Sequence, residues 1–140
     1  MKISLRAGEK IYMNGAVFSV DRRVSLQLLN DVTFLLEAHV MQAGEATTPL
    51  RQIYFAIQTM LMEPSAAKEL TASVWRMLEA IIRVEKQSSV RMRLVCVADL
   101  LRSDRRFEAL REVREIYRAE EAAGQPDVED ANMEGASACN

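Results

Sequence analysis

Histidine occurs once in these 140 residues, as His39, and cysteine twice, as Cys96 and Cys139. A single imidazole among Ala38, Val40 and Met41 gives general-base catalysis little to work with. The two cysteines lie far apart, one in a helical pattern and one near the end. That spacing offers neither a disulfide framework nor a metal site and fits a reducing compartment. The 5 glycines are scattered, so no loop is built to cradle phosphates. No nucleophile elbow, zinc spacing or calcium loop occurs, and no internal repeat is visible. No run of 18 apolar residues is present, which argues against a transmembrane helix. The start of the chain lacks the basic-then-apolar layout of a signal peptide. These absences point to a cytoplasmic, membrane-free protein that is not an enzyme and needs no cofactor or metal.

What is present suits a packed protein. Apolar residues make up 49% of the chain and charged residues 27%. The net charge of −2 hides an uneven distribution. All 18 Lys and Arg precede residue 119, against 14 acids there, so the body carries +4. The remaining acids, Glu120, Glu121, Asp127, Glu129, Asp130 and Glu134, have no base among them. A basic body with an acidic tail is compatible with nucleic-acid binding, and equally with an ordinary solvated surface.

Residues 2–20 organise the first third. Three strand-like runs are separated by Ala7-Gly8-Glu9 and by Asn14-Gly15. Asn-Gly between such runs signals a tight hairpin, because both central residues of a type I′ turn need positive φ. Residues 24–28 alternate with period two, as a half-buried strand does. Residues 24–41 also fit one amphipathic helix, but Asn30-Asp31 interrupts them and β-branched residues are frequent, which favours two strands. On that reading Glu37 and His39 share a strand face. The expectation is a five-strand meander.

Helical spacing takes over at Thr48-Pro49, a cap followed by proline at the first helical position. Leu50, Ile53, Tyr54, Ile57 and Leu61 form the first apolar stripe. Glu63-Pro64 ends it and starts a second helix carrying Leu70, Val74, Leu78 and Ile81. A third runs from about residue 90 to 101, and its apolar content marks it as the most buried, with Cys96 as inert core. Ser103-Asp104 reads as the cap of a fourth, with Phe107, Leu110, Val113 and Tyr117 on one stripe. The fold class is therefore α+β: a β unit over residues 1–48, a helical bundle over 49–124, and a disordered acidic tail over 125–140.

The bases carry the functional argument. Lys2, Arg6, Lys10, Arg22 and Arg23 cluster in the β unit, and Arg51 opens the first helix. Arginine suits phosphate and base-edge recognition because its planar fork donates paired hydrogen bonds. Arg102, Arg105 and Arg106 form a second group suited to a partner protein. Arg111 is spaced to pair with Glu108 and Glu115, a salt-bridged surface.

The wording of residues 2–17, of Leu29-Asn30-Asp31-Val32-Thr33-Phe34-Leu35-Leu36-Glu37 and of Thr47-Thr48-Pro49-Leu50-Arg51-Gln52-Ile53-Tyr54 resembles the FlbT family over about residues 1–120. The resemblance implies a non-enzymatic regulator of flagellum biogenesis in alphaproteobacteria. Such a regulator associates with the 5′ untranslated leader of flagellin mRNA and promotes its decay. A second, looser resemblance is to the carbon storage regulator family, through Arg6, Gly8-Glu9, Asn14-Gly15 and Arg51-Gln52-Ile53-Tyr54. Those proteins are intertwined β dimers that read RNA with basic residues on the first strand and before the last helix. That likeness implies RNA contacts at Arg6 and Arg51, brought to one site across a homodimer. The chain departs from the pattern at Ala7, at Thr47-Thr48-Pro49 and in having a helical half. The alternative partner is a protein: flagellin or a flagellar chaperone, with mRNA effects indirect.

Overall fold

The computed structural model describes residues 1–124. The tail expected to be disordered lies outside them. Five short strands come first: β1 (Lys2–Leu5), β2 (Lys10–Met13), β3 (Ala16–Ser19), β4 (Val24–Gln27) and β5 (Phe34–Leu36). Four helices follow: α1 (Pro49–Met62), α2 (Ala67–Val84), α3 (Ser88–Arg102) and α4 (Arg106–Ala123). The α+β class is as the sequence indicated, but the strands do not form a meander. β1 pairs antiparallel with β4, and β2 lies between β3 and β5 in a separate sheet. Only β2 and β3 are hairpin neighbours, joined where Asn14 (φ 50°) and Gly15 (φ 82°) both take the left-handed backbone that the Asn-Gly pair favours. At the first turn Gly8 also has positive φ, 81°, and donates to the Val20 carbonyl at 2.7 Å. That bond turns β1 away from β2 and leaves it for β4.

Side-chain alternation then builds three layers. Ile3 and Leu5 of β1 point inward with Val24 and Leu26 of β4, toward Ile11 and Phe34 on one face of the three-stranded sheet. The other face presents Tyr12 and Leu35 to the helices. β2 and β5 are thus covered on both sides, while β3 stays exposed at the sheet edge and the β1–β4 ribbon keeps one face in water.

Residues 24–41 are two strands, shorter than expected. After Leu36 the chain turns into a single-turn helix, Glu37–His39, so Glu37 and His39 do not share a strand face. The Glu37 carboxylate instead accepts from the Lys10 backbone N–H at 3.2 Å.

Thr48 caps α1 by accepting from the Arg51 N–H at 3.2 Å, with Pro49 in the first turn. The most buried helix is α1, not α3: Leu50, Ile53, Tyr54, Ala56, Ile57, Gln58 and Met60 are all buried. On α3, Met92 and Val95 face solvent and Cys96 is only half-buried, because one side of the helix has no neighbour. Ser103 and Asp104 end α3 rather than cap α4. Asp104 adopts φ 60° and donates to the Leu101 carbonyl, and Arg105 donates to that of Leu100, closing the helix as a Schellman motif.

Candidate nucleic-acid interface

The ribbon's outward face follows from its register. Lys2 lies opposite Gln27 and Ser4 opposite Ser25. Arg6 follows and Arg23 precedes the last pair, Leu5 and Val24. Lys2, Arg6 and Arg23 are exposed and form no ion pair among the described residues. The Arg6 backbone is held by a turn: its N–H donates to the Glu9 carboxylate at 2.9 Å, and its carbonyl accepts from the Glu9 N–H at 3.0 Å. Arg22 is exposed beside Asp21, 3.3 Å from its carboxylate. Lys10 opens β2, which belongs to the other sheet.

Arg51 sits elsewhere. Its guanidinium bonds the Glu121 carboxylate of α4 at 2.5 and 2.8 Å and lies over the Tyr117 ring, 4.8 Å from the centroid. The hydrogen bond to Glu121 holds the Arg51 pKa above its ordinary value. Arg6 lines an open hollow with Gly8, Glu9 and Glu37, and Arg51 lines another with His39, Arg114, Tyr117 and Arg118. Ala38 borders both, but the two arginines expected at one site line separate hollows within the chain.

The second group is held by local pairs. Arg102 bonds Asp99 at 2.8 Å and lies over the Trp75 ring at 5.1 Å, Arg105 pairs with Glu108, and Arg106 reaches Asp104 at 3.3 Å. Arg105 and Arg106 border a groove of about 620 Å³ with Met1, Leu29, Val32 and Phe107. The expected partners of Arg111 are not the ones it takes. Glu108 goes to Arg105, and Arg111 lies over the Phe107 ring at 6.0 Å. Glu112 bonds Arg93 of α3 at 2.8 Å, tying the two helices.

Two residues escaped the sequence reading. Gln58, buried on α1, accepts from the Met41 N–H at 2.7 Å and donates to the Met41 carbonyl at 2.8 Å. It clamps the segment between sheet and helices to α1. Arg114 is 8% exposed on α4. Its signal was present: positions 110, 113, 114 and 117 are one helical face, and three of the four are apolar.

Among the described residues no group of His, Cys, Asp and Glu can hold a metal, and no helix is long and apolar enough to cross a membrane. Two small antiparallel sheets, one a ribbon with a basic outer face and the other packed on a four-helix bundle, define the architecture. The family model described as "Flagellar protein FlbT" matches residues 1–123. The chain is 46% identical over 140 residues to the probable flagellum biosynthesis repressor protein FlbT of Brucella abortus strain S19, covering 99% of this chain and 92% of that protein. The Brucella suis biovar 1 protein of the same name matches at the same identity and coverage. The probable flagellum biosynthesis repressor protein FlbT 2 of Bradyrhizobium diazoefficiens is 47% identical over 122 residues, 87% of this chain and 90% of that protein. The chain belongs to the FlbT family. No solved structure matches it.

Proposed function

We propose that this chain is a non-enzymatic, cytoplasmic repressor of flagellum biogenesis that binds the 5′ untranslated leader of flagellin mRNA directly and promotes its decay. The ribbon face supports this reading. Lys2 stands there among Ser4, Ser25 and Gln27, with exposed Arg6 and Arg23 next along the two strands, and none of these six residues is a carboxylate. Exposed arginine forks beside hydroxyl and amide groups suit the phosphates and unstacked base edges of a single strand. Lys10 and Arg22 lie outside this face and add long-range attraction. Arg51, locked to Glu121, acts in structure first.

A second copy extends the surface. All four residues of β3 are exposed, Val17 and Phe18 among them, and its outer edge is unpaired among the described residues. Such an edge invites a strand from another chain, and a homodimer would cover it.

The test is titration of purified protein with flagellin leader RNA and with a scrambled RNA of equal length, across salt. Direct recognition gives tighter binding to the leader and an affinity that falls with salt as phosphate contacts release counterions. Equal, weak binding of both RNAs would remove the proposal.

One observation favours a protein partner instead. Leu29 is 89% exposed on the rim of the groove that Arg105 and Arg106 border. A groove that sets Leu29, Val32 and Phe107 among Asp31, Arg105, Arg106 and Glu108 suits an amphipathic helix of flagellin or of a flagellar chaperone, and mRNA effects would then be indirect.

A further inference from the structure

Arg114 is a buried cation that meets no anion among the described residues. It is 8% exposed, and its Nε is buried with no hydrogen-bond partner among the described residues. Among the described residues its one hydrogen bond to a side chain runs from Nη1 to the Tyr54 hydroxyl at a long 3.4 Å. That hydroxyl already donates to the His39 carbonyl at 2.5 Å. No carboxylate pairs with Arg114 among the described residues. Burying a charge in this condition is costly, and the ordinary remedy is an opposite charge with matching hydrogen bonds.

The surroundings are shaped for one. Arg114 lines a hollow of about 210 Å³ with His39, Arg51, Tyr117, Arg118, Glu45 and Glu121. Arg118 stands one turn further along α4 and is exposed. Glu121, the acid of α4 that lines the hollow, is already taken by Arg51. With His39 neutral, three arginines against two carboxylates leave the lining at +1.

We infer that this hollow is a phosphate-binding site, with the Arg114 guanidinium as its base and Arg118 as its outer clamp. A guanidinium fork matches phosphate oxygens in pairs, and the volume admits one phosphate group. The site is separate from the ribbon face and does not depend on the RNA reading. The phosphate comes either from free phosphate or from an RNA backbone.

His39 is the reporter. Its pKa is lowered first by burial and then by Arg114 and Arg118. Glu45, Glu121, Arg51 and Tyr117 complete the charged and titratable lining. A bound anion offsets the two arginines and raises the pKa. Because the chain has one histidine, its ring protons give an unambiguous NMR titration.

The experiment follows His39 in the full chain while inorganic phosphate is added, with chloride at matched ionic strength as reference. Phosphate raises the His39 pKa saturably and chloride does not. Arg118→Gln, at an exposed position, keeps the fold and weakens phosphate about tenfold, the scale of one charge-assisted hydrogen bond. Arg114→Gln abolishes the response if it folds, and Arg111→Gln leaves it unchanged. Leader RNA that raises the His39 pKa and is displaced by phosphate identifies the RNA backbone as the source. A response to phosphate alone identifies the free anion. If leader RNA does not bind while phosphate still acts, the RNA reading falls and this site stands. Identical His39 titrations in phosphate and chloride, or unchanged phosphate affinity in Arg118→Gln, would overturn it.

Discussion

The ribbon and the face where α1 meets α4 use the same residue type in opposite ways. On the ribbon, Arg6 and Arg23 stand in water with no ion partner among the described residues, and leaving them so costs little. Between α1 and α4, Arg51 is fastened to Glu121 and Tyr117, and Arg114 is buried outright. The comparison teaches that a count of arginines does not locate a binding surface. Exposure and pairing decide whether a guanidinium is available to a ligand or committed to the fold.

That contrast is sharpest where a polar side chain is most committed. Gln58→Ala removes both hydrogen bonds to Met41 and leaves a buried N–H and carbonyl without partners. Each such group costs about 1–3 kcal/mol, so the denaturant midpoint should fall sharply. A midpoint unchanged from wild type would mean the Met41 segment finds other partners.

Arg51→Ala comes next. It loses an ion pair and a cation–π contact, each of at most about 1 kcal/mol at a partly exposed site. Chemical denaturation should show that loss, smaller at high salt because Glu121 is half-exposed. The residue was expected to be an RNA contact, so a drop in stability with unchanged RNA affinity would complete the contrast.

A smaller effect depends on pH. The pKa of His39 in the fold lies below its ordinary 6.5. The unfolded chain therefore takes up the proton first. The stability associated with neutral His39 is intact above pH 6.5 and is lost as pH falls through the folded value. Denaturation of wild type and His39→Gln between pH 7.5 and 5.5 should show wild type losing ground on acidification relative to the variant. A constant gap would mean the imidazole is not held neutral.

The smallest stability changes belong to the ribbon. Arg6→Ala and Arg23→Ala should each stay within about 0.5 kcal/mol of wild type by denaturation, because neither side chain makes an ion pair among the described residues. A larger loss would put them among the structural arginines.

Local chemistry made part of this legible. Asn14-Gly15 announced a turn because few residues tolerate its backbone, and Thr48-Pro49 announced α1 because both suit a helix start. Strand pairing was not legible, since nothing local to Lys2–Leu5 says that its partner is Val24–Gln27 rather than the strand across the next turn. Gln58 was hidden for a similar reason: its partner is a backbone 17 positions distant. The greater burial of α1 than of α3 depends on which helices flank each, which composition does not record. At the site, the identity of the bases was visible, but the fastening of Arg51 by Glu121 joins positions 70 residues apart.

The central claim is that the ribbon face binds the leader strand. The decisive measurement is the salt dependence of leader affinity for wild type and for the Arg6→Ala/Arg23→Ala double variant. Each arginine that neutralises a phosphate of a single strand contributes about 0.7 to the slope of log affinity against log salt. The double variant should therefore bind more weakly at low salt, with a slope shallower by about 1.4 if both arginines contact phosphates, and with its fold intact. Equal affinities and parallel slopes would contradict the account and move attention to the groove beside Leu29.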